Sequence, residues 1–305
     1  MEEASRDEFE MFSTLPRDCI SLIFSLTSPR DLCSLATLSS VFRSMADLDE
    51  LWEQFLPPNY QDILSRASTP VHFSSIKDLF FRLCDPILVD DGQKTIAVEK
   101  TSGKVCCMLS AKQVKFFNDR SFRKFGRVCE YLPVPESRFM NAARLVDPSF
   151  FDFQAMLTSA ELSNNTTYVI YLVYKLNTTT YFDWKEGTCI LDSLPMTTVE
   201  LCESNSSPDN NYCCLVSVED IHQACETEEE MEIINTYLPS EITSRDGETV
   251  YYPKKRQDGH WMEVALGEFF NGNEKDTILV HLTAFDTSHI DTLLIEGIEF
   301  RAKIL

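Results

Sequence analysis

The spacing of apolar residues changes near residue 87, and this change limits the folds open to the chain. Before it, apolar side chains recur at intervals of three and four residues, as on the buried face of a helix. After it, they alternate with polar side chains, as in a strand with one buried face. The two patterns occupy separate parts of the sequence, so helices and strands do not alternate along the chain. The sequence therefore predicts an α+β protein in which a small all-α region precedes an antiparallel β-sandwich or barrel.

Helix starts and stops are marked in the N-terminal part. Ser28 stands before Pro29 and three residues before Asp31, which places a serine cap, a proline at the first helical position and an acid in the first turn. This combination predicts that one helix ends near Thr27 and that the next begins at Ser28. Further helical segments are predicted at 40–46, 48–55 and 74–84, the last with a capping box formed by Ser75 and Asp78.

The remainder of the chain has the pattern of strands separated by Asn, Asp, Gly and Ser. The stretch TYVIYLVYK at 167–175 is apolar on both faces and is expected in the centre of a sheet. Residues 202–246 are polar and acidic, and we expect long loops there, with a short helix at most. In residues 298–304 apolar and charged residues alternate strictly, and the predicted solvent face carries Glu299, Arg301 and Lys303. Other strands are predicted at 149–157, 166–176, 260–270 and 276–285.

The net charge and the cysteine content limit the classes of binding partner and the cellular location that we expect for the protein. The net charge is -21, from 27 basic and 48 acidic residues, which argues against nucleic acid or an anionic membrane because both are bound through Lys and Arg. No apolar run approaches the roughly 18 residues that span a bilayer, and the N-terminus MEEASRDEFEMF is acidic where a signal peptide is basic and then apolar. The 11 cysteines include no C-x-x-C pair and favour reduced thiols. A cytoplasmic or nuclear location is expected.

The sequence offers no pattern typical of an enzyme active site. Gly-x-Ser-x-Gly, Walker and Rossmann patterns do not occur. His222 and Cys225 have helical spacing, but no second pair of ligands follows at a distance usual for zinc. We therefore expect no catalytic residues, no metal and no cofactor.

The helices of residues 15–46 carry more apolar side chains than they can bury among themselves. A segment of under about 40 residues rarely encloses a sufficient core without a metal, a disulfide or a partner. Part of this apolar surface is therefore expected to be covered by something else.

Residues 15–55, LPRDCISLIFSLTSPRDLCSLATLSSVFRSMADLDELWEQF, resemble the F-box. The similarity lies in the Leu-Pro start, the S-P-x-D-L turn into the second helix, the Val-Phe-Arg entry to the third and the late tryptophan. The resemblance implies helices that dock on a Skp-type adaptor, which links the chain to a cullin ubiquitin ligase. It implies docking residues, partly in the core of the helices and partly against the adaptor, at Leu15, Pro16, Ile20, Ile23, Leu26, Pro29, Leu32, Leu35, Val41, Phe42 and Trp52.

The rest of the chain resembles the plant phloem-lectin-like F-box proteins, whose C-terminal domain is similar to the Nicotiana agglutinin. This resemblance implies a jelly-roll-like lectin sandwich. It predicts an F-box at 11–55, a linker with one helix at 56–86 and the sandwich at 87–305. The matching segments are FLPPNY at 55–60, SSIKDLFFRLC at 74–84, EKTSGKVCCMLSAK at 99–112, VPESRF at 134–139, DGHWMEVALGEFFN at 258–271 and IEGIEFRAK at 295–303.

Sugar binding in these lectins involves tryptophans that follow the MLSA-type segment, where aromatic faces stack on sugar C–H groups. This chain has VKFFNDRSFRKFGRV there, without tryptophan. The phenylalanines either stack on sugar or belong to the core of the sandwich, and Trp261 is predicted to be a core residue. Two functions follow: a ubiquitin-ligase substrate receptor whose target is a protein, glycosylated or not, or a free nucleocytoplasmic lectin. The candidate sugar-binding residues are Phe116, Phe117, Phe122 and Phe125.

Overall fold

The computed structural model describes residues 16–117, 128–146, 150–178, 196–203, 209–215, 242–245, 248–272, 277–285 and 290–304. The chain divides into two compact units. The helical unit takes the chain up to Val89 together with Ile96–Val105, and the sandwich unit takes Asp90–Thr95 and Cys106–Lys303. Strands β2 and β3, defined below, thus give residues to both units.

The helical unit contains six short helices among the described residues. Ser28 Oγ accepts a hydrogen bond from the Asp31 N–H at 3.1 Å, and Ser75 Oγ accepts one from the Asp78 N–H at 3.0 Å, which confirms both predicted helix starts. Helix α5 was not predicted. It has six residues and one fully buried side chain, so the repeat of apolar residues that marks a helix cannot be recognised in it. The helices are α1 (Arg17–Ser25), α2 (Pro29–Leu35), α3 (Ser40–Ala46), α4 (Asp49–Glu53), α5 (Tyr60–Ser65) and α6 (Ile76–Leu83).

The core of the helical unit is centred on Trp52. Its ring lies 5.8 Å from the ring of Phe55, 5.1 Å from that of Phe80 and 5.3 Å from that of Phe81. Its Nε1–H donates to the Ala46 carbonyl oxygen at 2.6 Å. The fully or nearly fully buried members of this core are Ile20, Phe24, Leu32, Phe42, Met45, Ala46, Leu51, Trp52, Phe55, Leu56, Leu79, Phe80, Leu83 and Val98.

Strands follow from residue 87 onward, as the change of period predicts. They are β1 (Ile87–Val89), β2 (Lys94–Val98), β3 (Val105–Ser110), β4 (Lys115–Phe116), β5 (Cys129–Pro133), β6 (Asn141–Leu145), β7 (Phe150–Thr158), β8 (Thr166–Thr178), β9 (Met196–Glu203), β10 (Asp209–Cys214), β11 (Ile242–Arg245), β12 (Glu248–Tyr251), β13 (Lys254–Lys255), β14 (Met262–Asn271), β15 (Thr277–Phe285) and β16 (Ile290–Ala302).

Two sheets enclose the core of the sandwich unit. Within that unit sheet A has the order β3-β16-β8-β14-β13, with β6 beside β16 and β5 beside β6, and sheet B has the order β11-β12-β10-β9-β15-β7-β4. Strand β8 lies between β16 and β14, which confirms the central position predicted for TYVIYLVYK. Gly297 is required where β16 pairs with β3, because a Cβ there would lie 1.9 Å from the Leu109 carbonyl oxygen. The α+β class and the sandwich are thus confirmed.

Alternate residues of the strands point into the sandwich core. Ile298 and Phe300 of β16 pack with Leu172 of β8 and Leu282 of β15. Trp261, just before β14, is 1% exposed and so is buried as predicted, but it lies outside this core cluster, under Lys175 Nζ at 4.7 Å and with its Nε1–H donating to the Glu136 carbonyl oxygen.

Two expectations about the strands are wrong, and one feature of the sheets was not predicted. Residues 202–246 contain β10 and β11 rather than loops alone, because β10 pairs along its whole length with β9 and places Cys213 in the core. The unpredicted feature is the parallel pairing of β10 with β12 within otherwise antiparallel described strands. Glu299 does not lie on a solvent face but is buried among arginines, as described below.

Candidate functional site

Helix α1 presents apolar side chains to solvent. Leu26 is 81% exposed and Leu22 is 63% exposed. Leu22 and Leu26 are four residues apart and Ile23 and Leu26 are three apart, so these side chains lie on one side of the helix. Ile20 and Phe24 of the same helix are buried in the core. Helix α1 is therefore apolar on both its core side and its solvent side.

The segment from the end of α2 to α3 adds further exposed apolar side chains. Leu38 is 51% exposed and Val41 is 48% exposed. A typical surface helix carries polar residues on its solvent side, so this exposure indicates a surface that another molecule covers. We call Leu22, Ile23, Leu26, Leu38 and Val41 the docking set.

The helices that carry the docking set pack against one another through their buried side chains. The rings of Phe24 in α1 and Phe42 in α3 meet edge to face at 5.4 Å. The Arg43 Nε–H donates to the Ala36 carbonyl oxygen at 3.4 Å, which joins α3 to the end of α2. The exposed side chains therefore project from helices whose opposite sides are packed together.

The structure separates the residues that the F-box resemblance implies. Pro16, Ile23, Leu26 and Val41 are exposed, and Leu35 is half-buried. Leu15 lies outside the described residues. Leu22 and Leu38 are exposed but were not predicted as docking residues. Both are apolar and neither belongs to the helical core, so the signal that could have found them is an apolar side chain with no place in that core. The buried members are Ile20, Pro29, Leu32, Phe42 and Trp52.

The candidate sugar-binding phenylalanines fall on both faces of sheet B. The Phe116 ring packs 5.6 Å from that of the core residue Phe153. Phe117 follows it, so its side chain takes the outer face, where Lys115 Nζ lies 5.0 Å from the ring centroid. The Phe117 N–H donates to the Asp152 carbonyl oxygen at 2.8 Å. Phe122 and Phe125 lie outside the described residues.

Polar side chains of neighbouring strands lie on the same outer face of sheet B as Phe117. Asp152 Oδ1 lies 2.7 Å from His281 Nε2, and Thr283 Oγ1 lies 3.3 Å from the same nitrogen. Asp152 and Thr283 are register partners of β7 and β15, so their side chains share a face. An aromatic ring therefore shares this face with a carboxylate, an imidazole and a hydroxyl.

The outer face of sheet A carries a buried ionic cluster, formed by Arg138, Arg256, Glu263, Glu299 and Arg301. Arg256 Nη1 lies 2.6 Å from Glu299 and 3.2 Å from Glu263, and Arg138 Nη1 lies 3.1 Å from Glu299. Arg301 bonds both glutamates and stacks 3.9 Å from the Tyr171 ring centroid. The three arginines are balanced by Glu263, Glu299 and Asp258, whose Oδ2 lies 3.8 Å from Arg256 Nε, so the cluster is structural.

Metal and membrane sites are not found in the part of the chain that the structure describes. Within those residues, His, Cys, Asp and Glu side chains form no group of three or more that can hold a metal ion. His222 and Cys225 lie outside them. The described helices are also too short to cross a membrane.

Family comparisons agree with the division into helices and sandwich. Residues 12–57, which include α1 to α4, match the F-box-like family, and residues 104–302 match phloem protein 2. The chain is an F-box protein of the phloem protein 2 family. The F-box therefore contains the docking set, and the phloem protein 2 domain contains the sandwich.

Curated relatives share this organisation over nearly their whole length. F-box protein PP2-B10 of Arabidopsis thaliana is 34% identical over 98% of this chain and 97% of the relative. F-box protein At2g02240 of the same plant is 35% identical over 95% of this chain and 80% of the relative. A solved xylan-binding domain from Paenibacillus barcinonensis matches 63% of this chain and 87% of that chain at 9% identity, with a TM-score of 0.29, too low to bear on the ligand.

Proposed function

We propose that this F-box protein is the substrate-recognition subunit of a Skp-cullin-F-box ubiquitin ligase. The observation that carries the proposal is the docking set, because it leaves large apolar side chains exposed on the helices that match the F-box-like family. The partner proposed for this surface is a Skp-type adaptor, and the adaptor in turn binds a cullin. The sandwich binds the target protein, in the cytoplasm or the nucleus.

Docking on the adaptor is driven by removal of the docking set from water. Full burial of an exposed Leu, Ile or Val side chain contributes about 1.5–3 kcal/mol, and the docking set supplies five such side chains, each already buried in part. Part of this gain offsets the entropy lost on association. The helices are already packed through Phe24 and Phe42, so little ordering is needed on binding.

The chain itself then acts without catalysis. It holds the target beside the ubiquitin-charged enzyme of the complex, which raises the effective concentration of the target's lysines. This role requires one surface for the adaptor and another for the target, and the helices and the sandwich supply separate surfaces.

Leu26→Asp is expected to weaken binding of the purified Skp-type adaptor to the full chain. The substitution removes apolar contact and places an unpaired carboxylate in the interface, a loss of about 2 kcal/mol or more, which is a rise in Kd of about thirtyfold. Isothermal titration calorimetry measures the Kd.

Met156→Asp is the matched control, because Met156 is 63% exposed on the sandwich and outside the docking set. It is expected to leave the Kd unchanged. Adaptor binding by Leu26→Asp with the wild-type Kd would contradict the proposed function.

We propose as a second function that the outer face of sheet B binds a glycan, which makes a glycosylated protein the target or, without a ligase role, makes the chain a lectin. The observation that favours it is that the Phe117 ring shares the outer face of sheet B with Asp152, His281 and Thr283. Aromatic faces stack on sugar C–H groups while such polar groups bond the hydroxyls. Phe116 is not part of this surface, because its ring packs in the core.

Phe117→Ala is expected to abolish glycan-array binding by the full chain, because the stacking surface is lost. Phe270→Ala is the control, since Phe270 is an equally large ring, 58% exposed, on sheet A. It is expected to keep the wild-type array signal. A blank array with folded wild-type protein counts against the glycan and leaves protein recognition by the sandwich.

A further inference from the structure

The turn at residues 99–104 belongs to the β2–β3 hairpin, yet its contacts are with helices. Ile96–Val105 is part of the helical unit, whereas the match to the F-box-like family ends at residue 57. Val98 is 2% exposed and lies in the same core as Phe24 and Trp52. Strand residues outside the F-box therefore complete the core behind the docking set.

Gly103 allows the turn to approach Phe55 closely. Its φ is +73°, and a Cβ added there would lie 3.1 Å from the Phe55 carbonyl oxygen and 3.5 Å from the Phe55 Cβ. Lys100 Nζ lies 5.9 Å from the centroid of the Phe81 ring, which is another aromatic neighbour of Trp52. The turn thus lies against the backbone and Cβ of Phe55 and places a positive charge near the Phe81 ring.

Glu99 fixes the shape of the turn. Its carboxylate accepts hydrogen bonds of 2.7 Å from both the N–H and the Oγ–H of Ser102, and bonds of 3.0 and 2.7 Å from the N–H and the Oγ1–H of Thr101. Burial disfavours the charged carboxylate, but these hydrogen bonds outweigh burial and lower the pKa of Glu99. The turn is therefore rigid before any partner binds.

Packed side chains connect the turn with the docking set. Phe55 and Phe81 contact Trp52, and the Trp52 Nε1–H donates to the carbonyl oxygen of Ala46. Ala46 is the last residue of α3, and Val41 of the docking set lies in the first turn of the same helix. A displacement of the turn therefore reaches α3 through direct contacts.

We propose that the turn at 99–104 is a positioning element for adaptor docking, which holds α3 and α4 in the arrangement that the adaptor recognises. This inference rests on the proposed function, because the docking set is the surface that the turn supports. It places positioning residues of the adaptor interface, Glu99 and Gly103, outside the F-box.

A pair of glycine substitutions in the full chain tests the proposal. Gly103→Ala and Gly92→Ala strain the backbone alike, since their φ angles are +73° and +74°, but a Cβ at Gly92 has no atom within 4 Å. Only Gly103→Ala presses on Phe55. We expect the Kd for the purified Skp-type adaptor to rise about tenfold in Gly103→Ala and less than about twofold in Gly92→Ala.

Hydrogen exchange provides a second readout that needs no adaptor. Backbone amides of α3 and α4 are expected to exchange faster in Gly103→Ala than in wild type and to keep the wild-type rate in Gly92→Ala. The Kd is measured where circular dichroism and exchange show every variant folded, so that its change reports the arrangement of the helices. If Gly103→Ala does not fold, Glu99→Gln takes its place, because it keeps the side-chain shape and weakens the bonds that fix the turn.

The outcomes separate the two proposals. A selective rise in Kd with faster exchange of α3 and α4 supports the positioning role. Equal Kd and equal exchange in the Gly103 and Gly92 variants would overturn it. If the wild-type chain does not bind the adaptor, the proposed function fails, and the exchange rates alone decide whether the turn supports α3 and α4.

Discussion

Replacement of Trp52 by alanine is expected to lower the free energy of unfolding of the helical unit by about 3–5 kcal/mol. Trp52 is 1% exposed, and three aromatic rings surround it. The substitution leaves a cavity that these rings cannot fill, and it leaves the Ala46 carbonyl oxygen without its indole donor. Hydrogen exchange of α1 to α6 in the full chain measures the loss.

Trp52→Phe is the intermediate case. The smaller ring keeps most of the apolar contact but lacks the indole N–H, so we expect a loss of about 1–2 kcal/mol. Val41→Ala is the surface control, because Val41 is exposed, and its effect on stability is expected to stay within about 0.5 kcal/mol. Wild-type exchange rates in Trp52→Ala would show that the aromatic cluster does not hold the unit together.

Trp52→Ala and Val41→Ala separate folding from binding. Trp52→Ala is expected to lower adaptor binding by disrupting the core that holds the helices. Val41→Ala is expected to lower adaptor binding with the helices intact, because its side chain belongs to the docking set. The buried and exposed residues of one short helical segment therefore have different roles, although both are apolar.

Local features of the fold are predictable because local contacts determine them. The caps at Ser28 and Ser75 each involve a residue three positions away, so the sequence pattern contains both partners of the bond. The core faces of β8 and β16 follow from alternation, which depends only on strand geometry.

Features that depend on distant partners are less accessible to prediction. Alternation shows that Phe116 and Phe117 point to opposite faces, but which face is buried depends on β7, whose Phe153 meets Phe116. Nothing local marks Val98 as part of the helical core, since its partners Phe24 and Trp52 lie far away in sequence. The docking set could be predicted only in part. The surplus of apolar residues in the sequence predicts that a partner covers some of them, but only the structure shows which ones remain exposed.

Glu299 is the clearest case of a position that alternation assigned to the wrong environment. It occupies the outer face of β16, as the pattern predicts, but Arg138, Arg256 and Arg301 converge on its carboxylate. Arg301 lies two residues away on the same strand, but Arg138 and Arg256 come from distant parts of the chain, so the sequence around Glu299 does not reveal them. Burial alone raises the pKa of Glu299, but the charges of Arg301 and Arg256, the hydrogen bond from Arg256 and the charge of Arg138 outweigh it and lower the pKa to about 2.

Glu299→Gln is expected to destabilise the sandwich by about 3–5 kcal/mol at neutral pH, because it leaves clustered arginines short of a buried counter-charge. The effect depends on pH in a defined direction. The folded-state pKa lies below the ordinary value of 4.5, so the carboxylate contributes its full stability above pH 4.5 and loses it as the pH falls toward 2. The stability difference between wild type and Glu299→Gln is therefore expected to shrink across that window.

Glu268→Gln is the matched control, because it is the same substitution in a neighbouring part of sheet A. Glu268 pairs with Lys303 at 2.7 Å, but both side chains are more than one third exposed. Solvent screens such a pair, so its loss is expected to cost at most about 1 kcal/mol. Urea unfolding of the three proteins at pH 7, 4.5, 3.5 and 2.5 measures the differences. A Glu299→Gln difference that stays constant from pH 7 to 2.5 would mean that the arginines stabilise the sandwich without needing the charge of Glu299.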